Sequence, residues 1–197
     1  RYYTGWNSKY GYNGMRDGYS TDGTDSTQGE PTVIWKYTLN DDNEATITKY
    51  QGNASALIIP ETIDGYKVVK IGNEAFYNNT ALRAVVMPDS ITEIGTSAFE
   101  NCTNLENVTL PQNLQTLLSQ AFGNCSSLTG IELPKSLELC HEQSMWGRGY
   151  GPFRNCTYLK NVSFEEGTWL IPANLFGGCT GIEEITIPAT VTKIEET

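Results

Sequence analysis

The stretch that decides the fold reads Cys102-Thr-Asn-Leu105-Glu-Asn-Val108-Thr-Leu110-Pro111-Gln-Asn-Leu114-Gln-Thr-Leu117-Leu-Ser-Gln-Ala121-Phe122-Gly-Asn124. The apolar residues before Pro111 have the spacing of a short strand that buries one face. Pro111 ends this strand because proline cannot donate a hydrogen bond to a strand ladder. Leu114 and Leu117 then return apolar side chains to the core, and Ala121-Phe122 closes the turn. A unit of this size cannot bury its own apolar face, so it needs neighbours of the same kind.

The unit recurs along the chain with a step of 23 residues. We number the repeats from the position of the strand-ending proline, so that repeats 1 to 6 begin at residues 60, 88, 111, 134, 165 and 188. Three columns show the period: Phe76, Phe99, Phe122, Phe153 and Phe176; Cys102, Cys125, Cys156 and Cys179; and Val85, Val108, Ile131, Val162 and Ile185. In each column the step lengthens once to 31, across repeat 4, and then returns to 23. We therefore predict one eight-residue insertion and a continuous core formed by these columns.

The consensus C-x-x-L-x-x-V-x-L-P-x-x-L-x-x-I-x-x-x-A-F-x-N resembles the BspA-like, or Treponema-type, leucine-rich repeats. Repeat 2 carries it as Pro88-Asp-Ser-Ile91-Thr-Glu-Ile94-Gly95-Thr-Ser-Ala98-Phe99-Glu-Asn101-Cys102, and the resemblance covers about residues 57–197. It implies a mainly β fold, a right-handed leucine-rich-repeat solenoid of 23-residue repeats. We expect one parallel sheet, with strands centred on the Val/Ile column, and short helical or 3-10 turns around the Ala-Phe pairs.

The chain divides into three segments. Residues 1–30 contain six glycines and no Val, Ile, Leu or Phe, so we predict a Tyr/Gly-rich linker or, alternatively, an aromatic arm that contacts a ligand. Residues 31–56 resemble the N-terminal β-hairpin cap of the family. Residues 57–197 are predicted to form the solenoid, with the insertion at about 142–150. Repeat 6 stops at Thr197, before its Ala-Phe pair, so the last repeat is incomplete and we expect the natural protein to continue.

Composition and charge restrict the class of partner. The chain carries a formal net charge of −10 and has a pI of about 4.5. This field repels phosphate backbones, so we expect no nucleic-acid partner. No apolar run has the roughly 20 residues that a membrane span needs. We expect a protein or glycan ligand instead, and the sequence does not distinguish a monomer from an oligomer.

Side chains suited to catalysis or metal binding do not converge. His141 is the only histidine, and it cannot share an ion with Cys140 and Glu142 because consecutive residues of an extended chain point in opposite directions. Acidic pairs such as Glu165-Glu166 are expected to be solvated, and no phosphate loop, nucleophile elbow or zinc pair is present. Four cysteines form one column and the fifth takes a core position, so we expect five free thiols acting as small apolar groups. A disulfide is the less favoured alternative. The sequence thus predicts no enzyme, no metal and no cofactor.

Departures from the repeat supply the candidate ligand-binding residues. The insertion in repeat 4 carries Trp146, Arg148 and Tyr150, which are residue types that dominate binding energy at interfaces. We expect these side chains to lie together at the solenoid surface; the alternative is a structural clasp with Trp146 buried. In repeat 5, Thr168 replaces an apolar core residue, and Trp169 is expected to fill the gap.

The sequence also allows predictions for two further sets of repeat positions. The asparagines before the cysteines are expected to bond backbone groups of the next turn, since buried donors need partners. They are Asn101, Asn124 and Asn155. The outward-facing positions of the predicted sheet are small and polar and include no aromatic anchor. They are Ala84, Asn107, Gly130, Asn161 and Glu184, and Val86, Thr109, Glu132, Ser163 and Thr186.

The family resemblance implies a non-catalytic binding or adhesion module of an exported bacterial protein, located outside the cell or at its surface. The ligand would be a protein or a glycan. The alternative is a structural or targeting appendage of a larger secreted protein, such as a polysaccharide-degrading one.

Overall fold

Short β-strands joined by tight turns make up the protein, for which a computed structural model describes residues 35–140 and 150–195. The strands are β1 Trp35–Leu39, β2 Ala45–Tyr50, β3 Ala56–Ile58, β4 Thr62–Ile63, β5 Tyr66–Ile71, β6 Ala84–Val86, β7 Glu93–Ile94, β8 Asn107–Thr109, β9 Thr116–Leu117, β10 Gly130–Leu133, β11 Asn161–Phe164, β12 Leu170–Ile171, β13 Glu184–Thr186 and β14 Lys193–Ile194. Within these two ranges no helix occurs, and therefore none that is long and apolar enough to cross a membrane. The mainly β class expected from the repeat is confirmed.

The predicted parallel sheet is formed by the strand that ends each repeat. β3, β6 and β8 pair in parallel, as do β10, β11 and β13. Val85 lies opposite Val108, and Val162 lies opposite both Ile131 and Ile185, so the strands centre on the expected column. The ladder is interrupted between β8 and β10, which adjoin but do not pair.

A second parallel ladder, which the sequence analysis did not predict, is formed by the strands that precede the Ala-Phe turns. β2, β5, β7 and β9 pair in succession, and a bridge from Thr116 to Leu139 extends this ladder into repeat 4. It is interrupted between Leu139 and β12, on either side of the insertion, and resumes where β12 pairs with β14. The two ladders are interrupted at different junctions. Repeats 2 and 3 are therefore joined by β7 and β9, and repeats 4 and 5 by β11 and β13.

The Ala-Phe segments are chains of tight turns closed by i→i+3 hydrogen bonds, the pattern of the expected 3-10 turns, and they form no continuous helix. In repeat 2, Glu100 N–H donates to Ser97 O (3.1 Å) and Cys102 N–H donates to Phe99 O (3.2 Å). Ser97 and Asn101 have left-handed backbone conformations, with φ of 56° and 60°. A left-handed residue every few positions prevents a right-handed helix from propagating. The segment therefore turns repeatedly without becoming helical.

The phenylalanine column forms the centre of the core. Phe76, Phe99, Phe122 and Phe153 are at most 1% exposed, and their rings stack from one repeat to the next. The ring centroids are 4.5 Å apart between Phe76 and Phe99 and 5.6 Å apart between Phe153 and Phe176. Phe176 was expected in the core but is only half-buried, because within the described residues a stacked ring covers it on one side only.

The N-terminal hairpin closes one end of this column. β1 and β2 pair antiparallel, and β2 pairs in parallel with β5 of repeat 1. Trp35 is 4% exposed and its ring lies 4.8 Å from that of Tyr50, which in turn stacks on Phe76 at 5.3 Å. The aromatic column therefore continues into the hairpin, which covers apolar side chains that an open solenoid end would leave exposed.

The cysteine column also lies in the core, and its thiols make specific hydrogen bonds. All five cysteines are free; Cys102, Cys125, Cys140 and Cys156 are buried, and Cys179 is half-buried at the last turn. Each column thiol donates to the phenylalanine carbonyl of the preceding repeat, at 2.9 to 3.2 Å: Cys102 to Phe76, Cys125 to Phe99, Cys156 to Phe122 and Cys179 to Phe153. The expectation of a purely apolar role was therefore incomplete.

The asparagine column does not bond backbone groups of the next turn as expected. Instead, the Asn124 side chain donates to the side-chain oxygen of Asn101 (3.0 Å), and that of Asn155 donates to Asn124 (3.1 Å). All three residues have φ between 57° and 60°, a conformation that asparagine tolerates better than most residues. The shared backbone angle places equivalent amides in register, so they bond to each other.

Repeat 5 corrects another expectation. Thr168 is buried in place of an apolar residue, and its hydroxyl donates to Glu165 O at 2.7 Å. Trp169 does not fill a gap there, because 51% of its surface is exposed. Glu165, at the proline position, donates its N–H to Leu133 O (2.9 Å) and pairs with Lys135 at 2.9 Å. That ion pair lowers the pKa of the Glu165 carboxyl.

Candidate binding surface

The outward face of the parallel sheet presents few features that could anchor a ligand. Glu132 and Glu184 are exposed, but Ala84, expected on the same face, is only 6% exposed. The positions between them are small or polar, and none is aromatic. Interface energy is usually concentrated in large buried side chains, so this face is a weak candidate.

Four basic side chains form ion pairs with acidic side chains of the neighbouring repeat. The pairs are Lys70–Glu93, Arg83–Glu106, Lys135–Glu165 and Lys160–Glu183, with N–O distances of 2.5 to 2.9 Å. Pairs this exposed contribute at most about 1 kcal/mol each. They nevertheless give several acidic residues a structural role, so no catalytic role is needed to explain their presence. Of the two arginines in the described ranges, Arg83 is paired in this way and Arg154 is not.

The candidate ligand-binding residues predicted from the sequence belong to the insertion in repeat 4. Trp146 and Arg148 lie within 141–149, outside the described residues. Tyr150, the last residue of the predicted insertion, is described, and 55% of its surface is exposed. A role for the three residues in ligand binding remains a prediction.

Arg154 adds a residue that sequence reasoning missed. Its guanidinium carbon lies 3.5 Å from the centroid of the Tyr150 ring, so the two side chains form a close cation–π contact. Arg154 directly follows Phe153 of the core column. A sequence signal existed, because Arg154 is the only cation in a column that otherwise holds Tyr77, Glu100, Gly123 and Gly177.

Backbone hydrogen bonds fix both members of the Tyr150–Arg154 pair. The Ser119 hydroxyl donates to the Tyr150 carbonyl at 2.7 Å. Gly151 O accepts from Arg154 N–H at 3.2 Å, closing a tight turn between the two side chains, and Arg154 O accepts from Asn124 N–H at 2.8 Å. The pair is therefore held by repeat 3 and is not presented by a free loop.

The two positions next to Arg154 in its column carry no side chain. Glycines occupy the equivalent positions in the repeats on both sides, Gly123 in repeat 3 and Gly177 in repeat 5. No neighbouring heavy atom lies within 4 Å of the position that a Cβ would take at Gly177. The column position next to Arg154 in repeat 5 is therefore open.

Other large apolar side chains are exposed in repeats 4 and 5. Leu139, before the insertion, is 43% exposed, and Tyr158 and Trp169 are 64% and 51% exposed. Exposed aromatic residues are typical of surfaces that bind proteins or sugars. Sequence reasoning had assigned Trp169 to the core and had not singled out Tyr158.

The buried thiols of Cys102 and Cys125 are not activated, and metal ligands do not cluster among the described residues. Within the described ranges, no group of three or more His, Cys, Asp or Glu side chains could hold a metal ion. His141 lies outside those ranges. Burial raises the pKa of the Cys102 thiol to about 12, and raises that of Cys125 well above its usual range. Thiols with raised pKa values are poor nucleophiles because the reactive form is the thiolate.

The repeat architecture, the phenylalanine and cysteine columns and the turns between them match a known family. The family described as the BspA type leucine rich repeat region matches residues 69–197, in six copies. The chain belongs to this family. The expectation drawn from the repeat pattern is thereby confirmed for more than half of the chain.

Solved structures of other leucine-rich-repeat proteins share the fold. A leucine-rich-repeat protein of T. pallidum is 28% identical, with a TM-score of 0.61 over 85% of this chain and 86% of that one. A leucine rich cell surface protein of Faecalibacterium prausnitzii is 31% identical, with a TM-score of 0.55 over 86% of this chain and 51% of that one. The pneumococcal vaccine antigen PcpA is 20% identical with a TM-score of 0.61, over 85% of this chain and 44% of that one, a likeness of fold alone. No curated protein matches the chain.

Proposed function

We propose that this BspA-type chain is a non-catalytic binding module of an exported bacterial protein, acting outside the cell or at its surface on a protein or glycan ligand. The observation that carries the proposal is the Tyr150–Arg154 contact, in which Tyr150 is exposed and Arg154 is half-buried, and whose backbone is held by hydrogen bonds to repeat 3. A partly exposed pair that lies outside the stacked phenylalanine core is suited to contact a ligand. The description of the F. prausnitzii relative as a cell surface protein supports the location.

The non-catalytic part of the proposal is supported by the roles that reactive side chains already have. The column thiols donate to phenylalanine carbonyls, and Glu165 and Glu183 are paired with lysines. These contacts account for the nucleophilic and acidic residues of the repeat as structural groups. No reaction is required to explain their presence.

The test is a binding screen of the whole chain against immobilised glycans and extracellular-matrix proteins. The variant Tyr150→Ala/Arg154→Ala should reduce binding to the recognised ligand at least about tenfold, because it removes both proposed anchors. The matched control is Tyr77→Ala/Arg83→Ala, which removes the same residue types from repeat 1. Absence of binding to any ligand, or equal losses in the two variants, would contradict the proposal and favour a structural appendage.

A further inference from the structure

We infer that the Tyr150–Arg154 pair binds a sugar ring that carries a single carboxylate. This inference rests on the proposed function and names the ligand class of the same site. It begins with the guanidinium of Arg154, which forms no ion pair or side-chain hydrogen bond with any described residue. In a chain of net charge −10, where Arg83 is paired, an arginine with no carboxylate partner among the described residues is available to an external one.

The geometry of the pair leaves the N–H donors of the Arg154 guanidinium available to a ligand. The ring of Tyr150 lies 3.5 Å from the guanidinium carbon and therefore covers one flat face of the group. The N–H donors lie in the plane of the guanidinium and point away from a stacked ring. Two of them match the two oxygens of a carboxylate, and this bidentate contact is stronger than a bond between neutral groups.

The surroundings favour a sugar over an acidic peptide. The residues whose hydrogen bonds hold the pair in place, Ser119 and Asn124, are uncharged, although the Asn124 side chain also donates to Glu100 at 3.4 Å. Asn155, next to Arg154, is exposed. Hydroxyl and amide groups beside a half-exposed aromatic ring complement sugar hydroxyls and the apolar face of a sugar ring.

The charge of the whole chain restricts the ligand to one carboxylate. A polyanion would meet Arg154, the one unpaired arginine of the described residues, within a field of −10, so long-range repulsion would exceed the single attraction. A single acidic sugar meets that arginine only at close range, where the local contact decides. The open space at Gly177 gives the ring room to approach without displacing a side chain.

The experiment compares methyl β-glucuronide with methyl β-glucoside, which differ in the carboxylate alone, by ligand-observed NMR titration of the whole chain. The glucuronide should bind with a dissociation constant at least about tenfold lower than the glucoside. Arg154→Gln should abolish this difference, and Tyr150→Ala should weaken glucuronide binding. The control Arg83→Gln should leave both affinities unchanged. Thermal melting of each variant establishes that it folds.

Several outcomes would overturn the inference. Equal affinity for the two glycosides, or a preference for the glucuronide that survives Arg154→Gln, would remove the carboxylate from the assignment. Tighter binding of a capped aspartate tripeptide would replace the sugar with a peptide. If the glucuronide fails to bind while the binding screen still gives a signal that depends on the pair, the ligand class is wrong and the proposed function stands. If both experiments fail, both proposals are wrong.

Discussion

At the scale of single residues, polar side chains keep one repeat in register with the next. Each column thiol bonds to a phenylalanine carbonyl of the preceding repeat, and the asparagine side chains bond to each other. A buried donor without a partner costs about 1 to 3 kcal/mol, so a shifted repeat would lose several such bonds at once. Single residues also determine how closely two repeats can approach, and the clearest cases are glycines.

Gly151 is a position where a side chain is excluded by backbone. A Cβ at this residue would overlap the carbonyl oxygen of Asn174 in repeat 5, and backbone cannot move aside as a flexible side chain can. We expect Gly151→Ala to lower the free energy of unfolding by about 1 to 3 kcal/mol. Urea denaturation measures it.

The matched control is Gly177→Ala, in the neighbouring repeat. Its Cβ would meet nothing within 4 Å, so the free energy of unfolding should change by no more than about 0.5 kcal/mol. Equal effects of the two substitutions would show that the close approach of Gly151 to repeat 5 does not limit stability.

At the scale of elements, two short parallel ladders together join neighbouring repeats. The sheet is interrupted between β8 and β10, and the second ladder is interrupted beside the insertion, between Leu139 and β12. At each of these junctions the other ladder is continuous, and the phenylalanines of the two repeats still stack. An interruption on one side is therefore tolerated, which explains how repeat 4 accepts eight additional residues.

Deletion of residues 142–149 should leave the fold intact. It restores the 23-residue step between Phe122 and Phe153, whose rings already stack at 5.4 Å, and it removes no described strand. Tyr150 is retained because its carbonyl accepts a bond from Ser119. We expect the melting temperature to change by no more than about 4 °C, equivalent to about 1 kcal/mol in a chain of this size.

The control for this deletion removes the same number of residues, 112–119, from repeat 3. That segment contains β9, so the variant should lose cooperative melting. A fall of more than about 10 °C on deletion of 142–149 would instead support the structural clasp. The binding-region proposal would then lose its premise that the insertion is dispensable for folding.

At the scale of the whole molecule, each repeat contacts its neighbours and little else, so stability depends on position along the stack. Phe122 is fully buried with a ring on each side, whereas Phe176 is half-buried and stacks on Phe153 alone among the described residues. The two residues occupy the same column and have the same chemistry. Only the number of neighbouring repeats differs.

This difference gives a prediction about stability. Phe122→Ala should cost about 3 to 5 kcal/mol, the usual range for a buried phenylalanine, because it leaves a cavity between two rings. Phe176→Ala should cost roughly half as much, since part of its surface is already exposed. Chemical denaturation monitored by circular dichroism measures both. Equal costs would indicate that the stack behaves as one cooperative core without dependence on position.

The sequence by itself determined the register of this protein. Stacked repeats place equivalent positions opposite each other, so the spacing of Phe76, Phe99 and Phe122 predicts which residues share the core, and the single step of 31 locates the insertion. The parallel pairing of Val85 with Val108 follows from the same spacing. These features depend on period and polarity, which can be read along one chain.

Only the tertiary structure decided what bonds across the repeats. The second ladder, the thiol bonds to phenylalanine carbonyls and the amide bond between Asn124 and Asn101 depend on backbone angles and rotamers in two repeats at once. The contact of Arg154 with Tyr150 depends on the turn at Gly151, which places the two side chains together. Trp169 shows the converse, because its apolar character predicted burial whereas its side chain, directly before β12, is 51% exposed. Periodicity specifies which repeats are neighbours, whereas the direction of each side chain is fixed only when those neighbours pack.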